Sequence, residues 1–225
     1  MPGGELSGKT AVVTGGGRGI GRAMALGLAR AGANVAITAA RNRNDLDRAA
    51  AEAAKLSGPE RIRGIVADVA DEDDCRRVVG ETLDAFGAVH ILVNNAGRGM
   101  RFVSEQFFST PTKFWQTDPA VWRMIIDTNV NGPFLMARAV VPRMIEQRWG
   151  RIINISINHE TMRRAGFSPY GPSKGAVESE TIIWAQDLAG TGVTVNSLLP
   201  GGATDVKVVL HLPREECRNM TLKTA

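Results

Sequence analysis

Aromatic residues are scarce in this chain, 5% of 225 positions, and there is a single tyrosine, Tyr170. Cysteine is scarcer still: Cys75 and Cys217 lie far apart with no ligand-like spacing, so neither a metal site nor a disulfide framework is expected. No apolar run approaches the ~18 residues a spanning helix requires. Residues 1–9 lack the apolar core of a signal peptide. These absences argue against a membrane span and a secreted scaffold, and the expectation is a cytoplasmic protein. A strong excess of one charge is missing too: 27 basic and 23 acidic residues give +4, with the arginines scattered along the chain. Nucleic acid is therefore not an expected partner, whereas a small anionic ligand suits the balance.

Glycine is plentiful, with 25 residues, and 44% of the chain is hydrophobic. That composition suits one sizeable core with many tight turns. Short apolar runs at 9–14, 34–38, 61–66, 89–93, 151–156 and 193–199 read as buried strands. Helical segments separate them at 20–31, 45–56 and 72–86, the last capped by Asp71 and followed by Gly87. Asp118-Pro119 opens a long helix to about residue 148, in which Pro133 and Pro142 imply bends, and another helix spans about 172–189. Continuously apolar strands alternating with helices predict an α/β fold with a parallel sheet covered on both faces. Right-handed crossovers make it doubly wound, with ligands at the carboxyl ends of the strands.

Three motifs fall at such ends. The first strand runs into Gly15-x-x-x-Gly19-x-Gly21 and then a helix, a combination that cradles phosphate with backbone N–H groups and the helix dipole. The second strand ends in Thr38-Ala39-Ala40-Arg41-Asn42-Arg43, with two arginines and no carboxylate to bind a ribose 2′-hydroxyl. With Arg18 in the loop, this favours NADP, NAD being the alternative; otherwise Arg41 and Arg43 simply face solvent. The third motif is Tyr170-Gly171-Pro172-Ser173-Lys174. At i and i+4 on a helix, the phenol and the ammonium share a face. A cation there lowers the tyrosine pKa from ~10, and a phenol so tuned exchanges a proton with a carbonyl or alcohol oxygen.

Thr14 through Gly21, Asn94-Asn95-Ala96-Gly97, Tyr170 with Lys174, and Pro200-Gly201 occur in this order. Together they resemble the short-chain dehydrogenase/reductase family over about residues 6–204. The resemblance implies a single Rossmann-type domain at 1–204 binding a nicotinamide dinucleotide across Gly15, Arg18, Gly19, Ile20 and Gly21. It implies that Asp68, followed by Val69, meets the adenine amine. Asn94, Asn95, Ala96 and Gly97 would line the adenosine side or act as a strand cap. Tyr170 would be the general acid or base, and Lys174 would lower its pKa and bind the nicotinamide ribose. Asn129 matches a position that holds a relay water, with Asn131 the lesser candidate. Pro200, Gly201 and Thr204 would flank the nicotinamide, Thr204 sitting one residue closer to Gly201 than usual.

Two features depart from the family pattern. The serine expected thirteen residues before the tyrosine is replaced by Ile157, leaving Ser156 to serve the substrate oxygen, with Asn158 and His159 in reserve. Strand alternation turns Ser156 to the opposite face from Ile157, unless a bulge re-aims it. Beyond Thr204 only an atypical tail, 205–225, follows. Six strands are therefore expected, without the usual seventh strand and C-terminal lid, although 206–210 offers a weak edge strand. This leaves a homo-oligomer open but without the usual C-terminal dimer elements, and reads as a truncated, frameshifted or divergent chain.

The leading expectation is an NADP-dependent oxidoreductase acting on a small carbonyl or secondary-alcohol substrate. The aromatic segment 98–116 supplies an apolar wall for the substrate, or packs on the domain's own flank. Arg101, Arg163 and Arg164 favour an anionic substrate if they face the site, and are otherwise solvated. The alternative is a cofactor-binding protein with little or no activity. A methyltransferase shares the glycine loop but gives Tyr170 and Lys174 no task.

Overall fold

The computed structural model describes residues 4–200. Six strands form one sheet in the order β3-β2-β1-β4-β5-β6: β1 (Thr10–Val13), β2 (Asn34–Ala39), β3 (Ile62–Val66), β4 (Ile91–Asn94), β5 (Gly150–Ile155) and β6 (Val193–Leu198). Every pairing is parallel. The strand order turns back on itself between β1 and β4, so a crevice opens at their carboxyl ends.

Alternation along the strands divides the core in two. Val12, Ala36, Leu92 and Ile152 face α3 (Glu72–Phe86) and α5 (Gly132–Glu146). Val13, Val35, Ile37 and Val93 face α1 (Gly19–Arg30) and α2 (Arg43–Ser57). Both faces of β1, β2 and β4 are therefore apolar, which is why those strands read as unbroken hydrophobic runs. Each fully buried aliphatic side chain contributes about 1.5–3 kcal/mol before conformational entropy is set against it. Cys75 is buried among them and donates its Sγ–H to the Val69 carbonyl. Burial pushes its thiol up to about 12, so it packs as a hydrophobe.

Helix starts follow their caps. Asp71 accepts from the Asp74 amide and Asp118 from the Ala120 amide, as the sequence predicts. Helix α2 starts at Arg43 rather than 45, because the Asn42 side chain accepts from the Asp45 amide. The long helix opened by Asp118 is two helices, α4 (Pro119–Ile126) and α5, joined by a π-turn over Asp127–Asn131. Pro133 brings no N–H to the ladder, and the preceding turn widens to accommodate it. A short helix absent from the sequence reading, α6 (His159–Met162), is capped by Asn158, which accepts from the Thr161 amide. Helix α7 (Tyr170–Asp187) completes the described fold. None of the described helices is long and apolar enough to cross a membrane.

Candidate active site

The glycine loop leaves β1 and enters α1 at Gly19. Gly15 has φ +65°, and the Asn95 amide, at the end of β4, donates to the carbonyls of Thr14 and Gly15. Thr14 Oγ1 accepts in turn from the amides of Asn95 and Ala96. The loop is thereby tied to the neighbouring strand. Arg18, exposed at the N-cap, provides no capping side chain, and no acidic residue occupies the first turn of α1. The N–H groups of that turn are open to an anion, and a dinucleotide's pyrophosphate fits this cradle. Ile20 is half-buried behind it.

Just past the carboxyl end of β2, Arg41 is exposed, as is Arg43, which pairs with Asp47 along α2 at 2.9 Å. Neither Arg18 nor Arg41 has an acidic partner among the described residues. A carboxylate the sequence reading passed over lies close by: a methyl group on Gly17 would sit 3.2 Å from Asp45 Cβ. Asp45 is engaged, accepting from Asn42 Nδ2 and pairing with Arg48. Asp68 accepts from the Ala70 amide and pairs with Arg98 at 3.4 Å, while Val69 is buried against Gly132.

Asn94 is buried and turned inward. Its Nδ2 donates to Asn154 Oδ1 at 2.9 Å, and Asn154 donates onward to Thr181 Oγ1 on α7. These bonds tie the ends of β4 and β5 to α7. Gly97 lies beside the third motif: a methyl there would be 3.4 Å from Asn129 Oδ1 and 3.9 Å from Lys174 Nζ. Asn129, wholly buried in the π-turn, accepts from the Arg98 amide at 2.7 Å. Its Nδ2 donates to the Arg98 carbonyl and to Ser173 Oγ, which donates to the Tyr170 carbonyl. The widened turn thus clamps the β4 turn to α7. Asn131 bonds only its own turn, through Asp127.

Tyr170 and Lys174 share the first turns of α7. Lys174 is 5% exposed, and its ammonium donates to the Ile155 carbonyl at 2.7 Å, with no carboxylate paired to it among the described residues. Two of its three donors have no partner among the described residues. Tyr170 packs on Met100, Phe107 and Phe167. Burial pushes the phenol's pKa up and the ammonium's down to about 8. The sequence reading had Lys174 lowering the phenol's pKa; among the described residues burial shifts the phenol the other way, because its charged form loses its water.

Ser156 is 3% exposed, one residue past the end of β5, and its hydroxyl donates to Glu178 Oε1 at 2.7 Å. The other oxygen of Glu178 bonds His159 Nε2 at 2.9 Å. Glu178 was absent from the sequence reading, yet its spacing offered a signal: Tyr170, Lys174 and Glu178 are four apart on one face of α7. Pro200 lies just past β6, while Gly201 and Thr204, with residues 206–210, fall outside the described residues. A cavity of about 470 Å³ lies at the opposite end of the sheet, lined by Arg151 and Val193 at the amino ends of β5 and β6. It has no part in this chemistry.

Comparison with known proteins agrees with the architecture. A sequence model described as short chain dehydrogenase matches residues 9–212. A short-chain type dehydrogenase/reductase of Picea abies is 39% identical over 89% of this chain and 73% of its own length. A 3-oxoacyl-(acyl-carrier-protein) reductase of Staphylococcus epidermidis is 37% identical, over 86% of this chain and 74% of its own. Among solved structures, a metagenomic short-chain oxidoreductase in complex with NADP superposes with a TM-score of 0.78 at 33% identity, covering 87% of this chain and 83% of that one. An NAD+-bound xylitol dehydrogenase gives 0.77 at 31%, covering 87% and 71%.

Proposed function

The chain belongs to the short-chain dehydrogenase/reductase family of nicotinamide-dependent oxidoreductases, and we propose that it moves hydride between NADP(H) and a carbonyl or secondary-alcohol carbon. The observation that supports this reading is the Tyr170–Lys174 pair on the first turns of α7, with the buried Lys174 ammonium bonded to the carbonyl that ends β5 and lying beside Gly97. The bound nicotinamide supplies the hydride in reduction and accepts it in oxidation. The residues do the rest. In reduction the carbonyl carbon takes the hydride and Tyr170 gives its phenolic proton to the oxygen, leaving an alcohol and a phenolate. Lys174, held by the Ile155 carbonyl, stabilises that phenolate and binds the ribose. Asn129 positions the pair by fixing the Arg98 turn and Ser173. With both its amide donors used, a relay water there would be held by Oδ1.

The NADP preference rests on Arg18 and Arg41, with Arg43 set aside because Asp47 occupies it. Arg41→Asp is expected to lower the ratio of NADPH to NADH affinity by about ten-fold or more, since a charge-assisted phosphate contact is replaced by repulsion. An unaltered ratio in parallel calorimetric titrations would remove Arg41 from the site.

Ser156 contributes to the substrate oxygen only by giving up its bond to Glu178. Ser156→Ala is therefore expected to reduce kcat/KM by less than about ten-fold, against the ~10²–10³-fold typical of a lost oxyanion donor. The larger loss would mean that the hydroxyl turns to the substrate. The same bond, with Ile157 where a donor is expected, favours a second reading, in which the chain binds cofactor and turns over little. Calorimetric titration with NADPH beside a carbonyl-reductase panel separates the two: tight binding without oxidation of NADPH selects the second.

A further inference from the structure

Tyr170, Lys174 and Glu178 form a row on α7, and the proposed chemistry gives Glu178 no task. One of its oxygens accepts from Ser156 Oγ at 2.7 Å and the other bonds His159 Nε2 at 2.9 Å. These partners bound the turn from β5 to α6: Ser156 follows the last residue of β5, and His159 is the first of α6. A single carboxylate therefore pins both ends of that turn to α7, with Ile157 between them. One helical turn nearer Tyr170, the Lys174 ammonium donates to the Ile155 carbonyl at 2.7 Å. The end of β5 is thus held to α7 at two neighbouring residues, by two side chains one helical turn apart.

Helix α6 lies along the same stretch of α7. A methyl group on Gly171 would collide with the Met162 carbonyl oxygen, and one on Gly175 would lie 3.7 Å from Met162 Sδ. At its other end α6 is tied down through His159. The His159 side chain is 54% exposed and that of Glu178 22%, while Ser156 and Lys174 are buried. The bonds of Glu178 therefore run from the buried end of β5 out to the surface. Inside them, Lys174 has one bonded partner, and burying a charge with so little compensation is unfavourable. Such an arrangement persists only while the surrounding elements stay closed. Loosening the turn would admit water to the ammonium and shift the carbonyl that aims it.

We propose that Glu178 is a positioning residue for Lys174: by fixing the β5–α6 turn it holds the Ile155 carbonyl against the ammonium and keeps water out. The proposal rests on the oxidoreductase reading only for its effect on cofactor binding; its first test, a double-mutant cycle in urea at pH 7 without cofactor, does not. In the wild-type background Lys174→Met should raise the folding equilibrium constant about five- to thirty-fold, as a buried unpaired charge is removed. In the Glu178→Ala background the same change should gain less than about two-fold, because the ammonium is already solvated. Glu178→Gln, whose amide still meets Ser156 and His159, should bring the gain back. The sign separates this role from simple attraction between the two charges. If Glu178 only attracted Lys174, removing it would raise the cost of the buried ammonium and the gain from methionine would grow. A gain that persists or grows in Glu178→Ala, or is missing from Glu178→Gln or from the wild type, would overturn the proposal. Should Glu178→Ala fail to fold, Ser156→Ala cuts the tie at the strand and should shrink the gain; an unchanged gain there overturns the proposal equally. Calorimetric titration with NADPH reads the site itself. Glu178→Ala should weaken binding about as much as Lys174→Met, by about ten-fold, and the two together should lose little more. Losses that multiply would also overturn the proposal. A wild type that binds no NADPH would defeat the nicotinamide reading instead, with the role of Glu178 decided by the stability cycle.

Discussion

Tyr170→Phe and Lys174→Met should each lower turnover by about 10²–10⁴-fold, the range for a lost proton-transferring group, yet move stability in different ways. Phenylalanine keeps the ring packed on Met100, Phe107 and Phe167, so Tyr170→Phe should fold as the parent does and retain its cofactor affinity. Lys174→Met should lose affinity as well, by about ten-fold, because hydrogen bonds to a charged group contribute ~1.5–3 kcal/mol. Its stability should rise. Burial lowers the Lys174 pKa from 10.5 to about 8, so the unfolded chain holds that proton more tightly than the folded one. Below pH 8 the protein therefore folds against the full cost of the buried charge, of order 3 kcal/mol. Losing the bond to the Ile155 carbonyl returns about 1 kcal/mol of that. At pH 7 and without cofactor, urea denaturation should find Lys174→Met more stable by about 1–2 kcal/mol. Between pH 8 and 10.5 the unfolded state binds more protons, so this residue makes the wild type gain stability as pH rises, and the advantage of methionine should shrink. A variant less stable at pH 7, or a gap insensitive to pH, would mean that Lys174 is not the buried, uncompensated cation described.

The fold was legible because both faces of the sheet are buried. Runs such as Thr10–Val13 and Ile91–Asn94 carry apolar residues on both sides, and no pattern other than a covered parallel sheet explains them. Boundaries set by a local cap were legible where the cap was an aspartate, at Asp71 and Asp118. They were missed where an asparagine did the same work, at Asn42 and Asn158. The π-turn was not legible: Pro133 announced a bend, but only tertiary packing decides that the bend presents Asn129 to Arg98 and Ser173. The Tyr170–Lys174 pair was readable from helical spacing, whereas its electrostatics were not, since desolvation depends on walls supplied by distant segments. Ser156 marks the same limit. Alternation could not aim a hydroxyl that lies one residue beyond the strand, and its partner Glu178 is fixed only once α7 docks.

Gly21→Ala should weaken NADPH binding by about 100-fold or more, a loss of ~2.7 kcal/mol, although no cofactor atom need touch the added methyl. A Cβ at Gly21 would lie 2.4 Å from both Asn95 Nδ2 and the Gly15 carbonyl oxygen. The first of these is the amide that ties the loop to β4, and the second is a backbone atom at a residue with φ +65°. Neither can yield without displacing the loop, so α1 must withdraw or the Asn95 bonds must break. Overpacking of this kind costs about 1–3 kcal/mol of stability. The affinity loss is larger than that strain suggests, because the N–H groups of the first helical turn bind phosphate only when the loop brings it against them. Gly27 serves as the control on the same helix: a methyl there meets nothing within 4 Å. Gly27→Ala should leave NADPH affinity unchanged and raise stability by about 0.5–1 kcal/mol through helix propensity alone. Calorimetric affinities and urea midpoints for the two variants separate the effects. Equal NADPH affinity in both would show that the glycine loop does not hold the cofactor, whatever the fold of the rest.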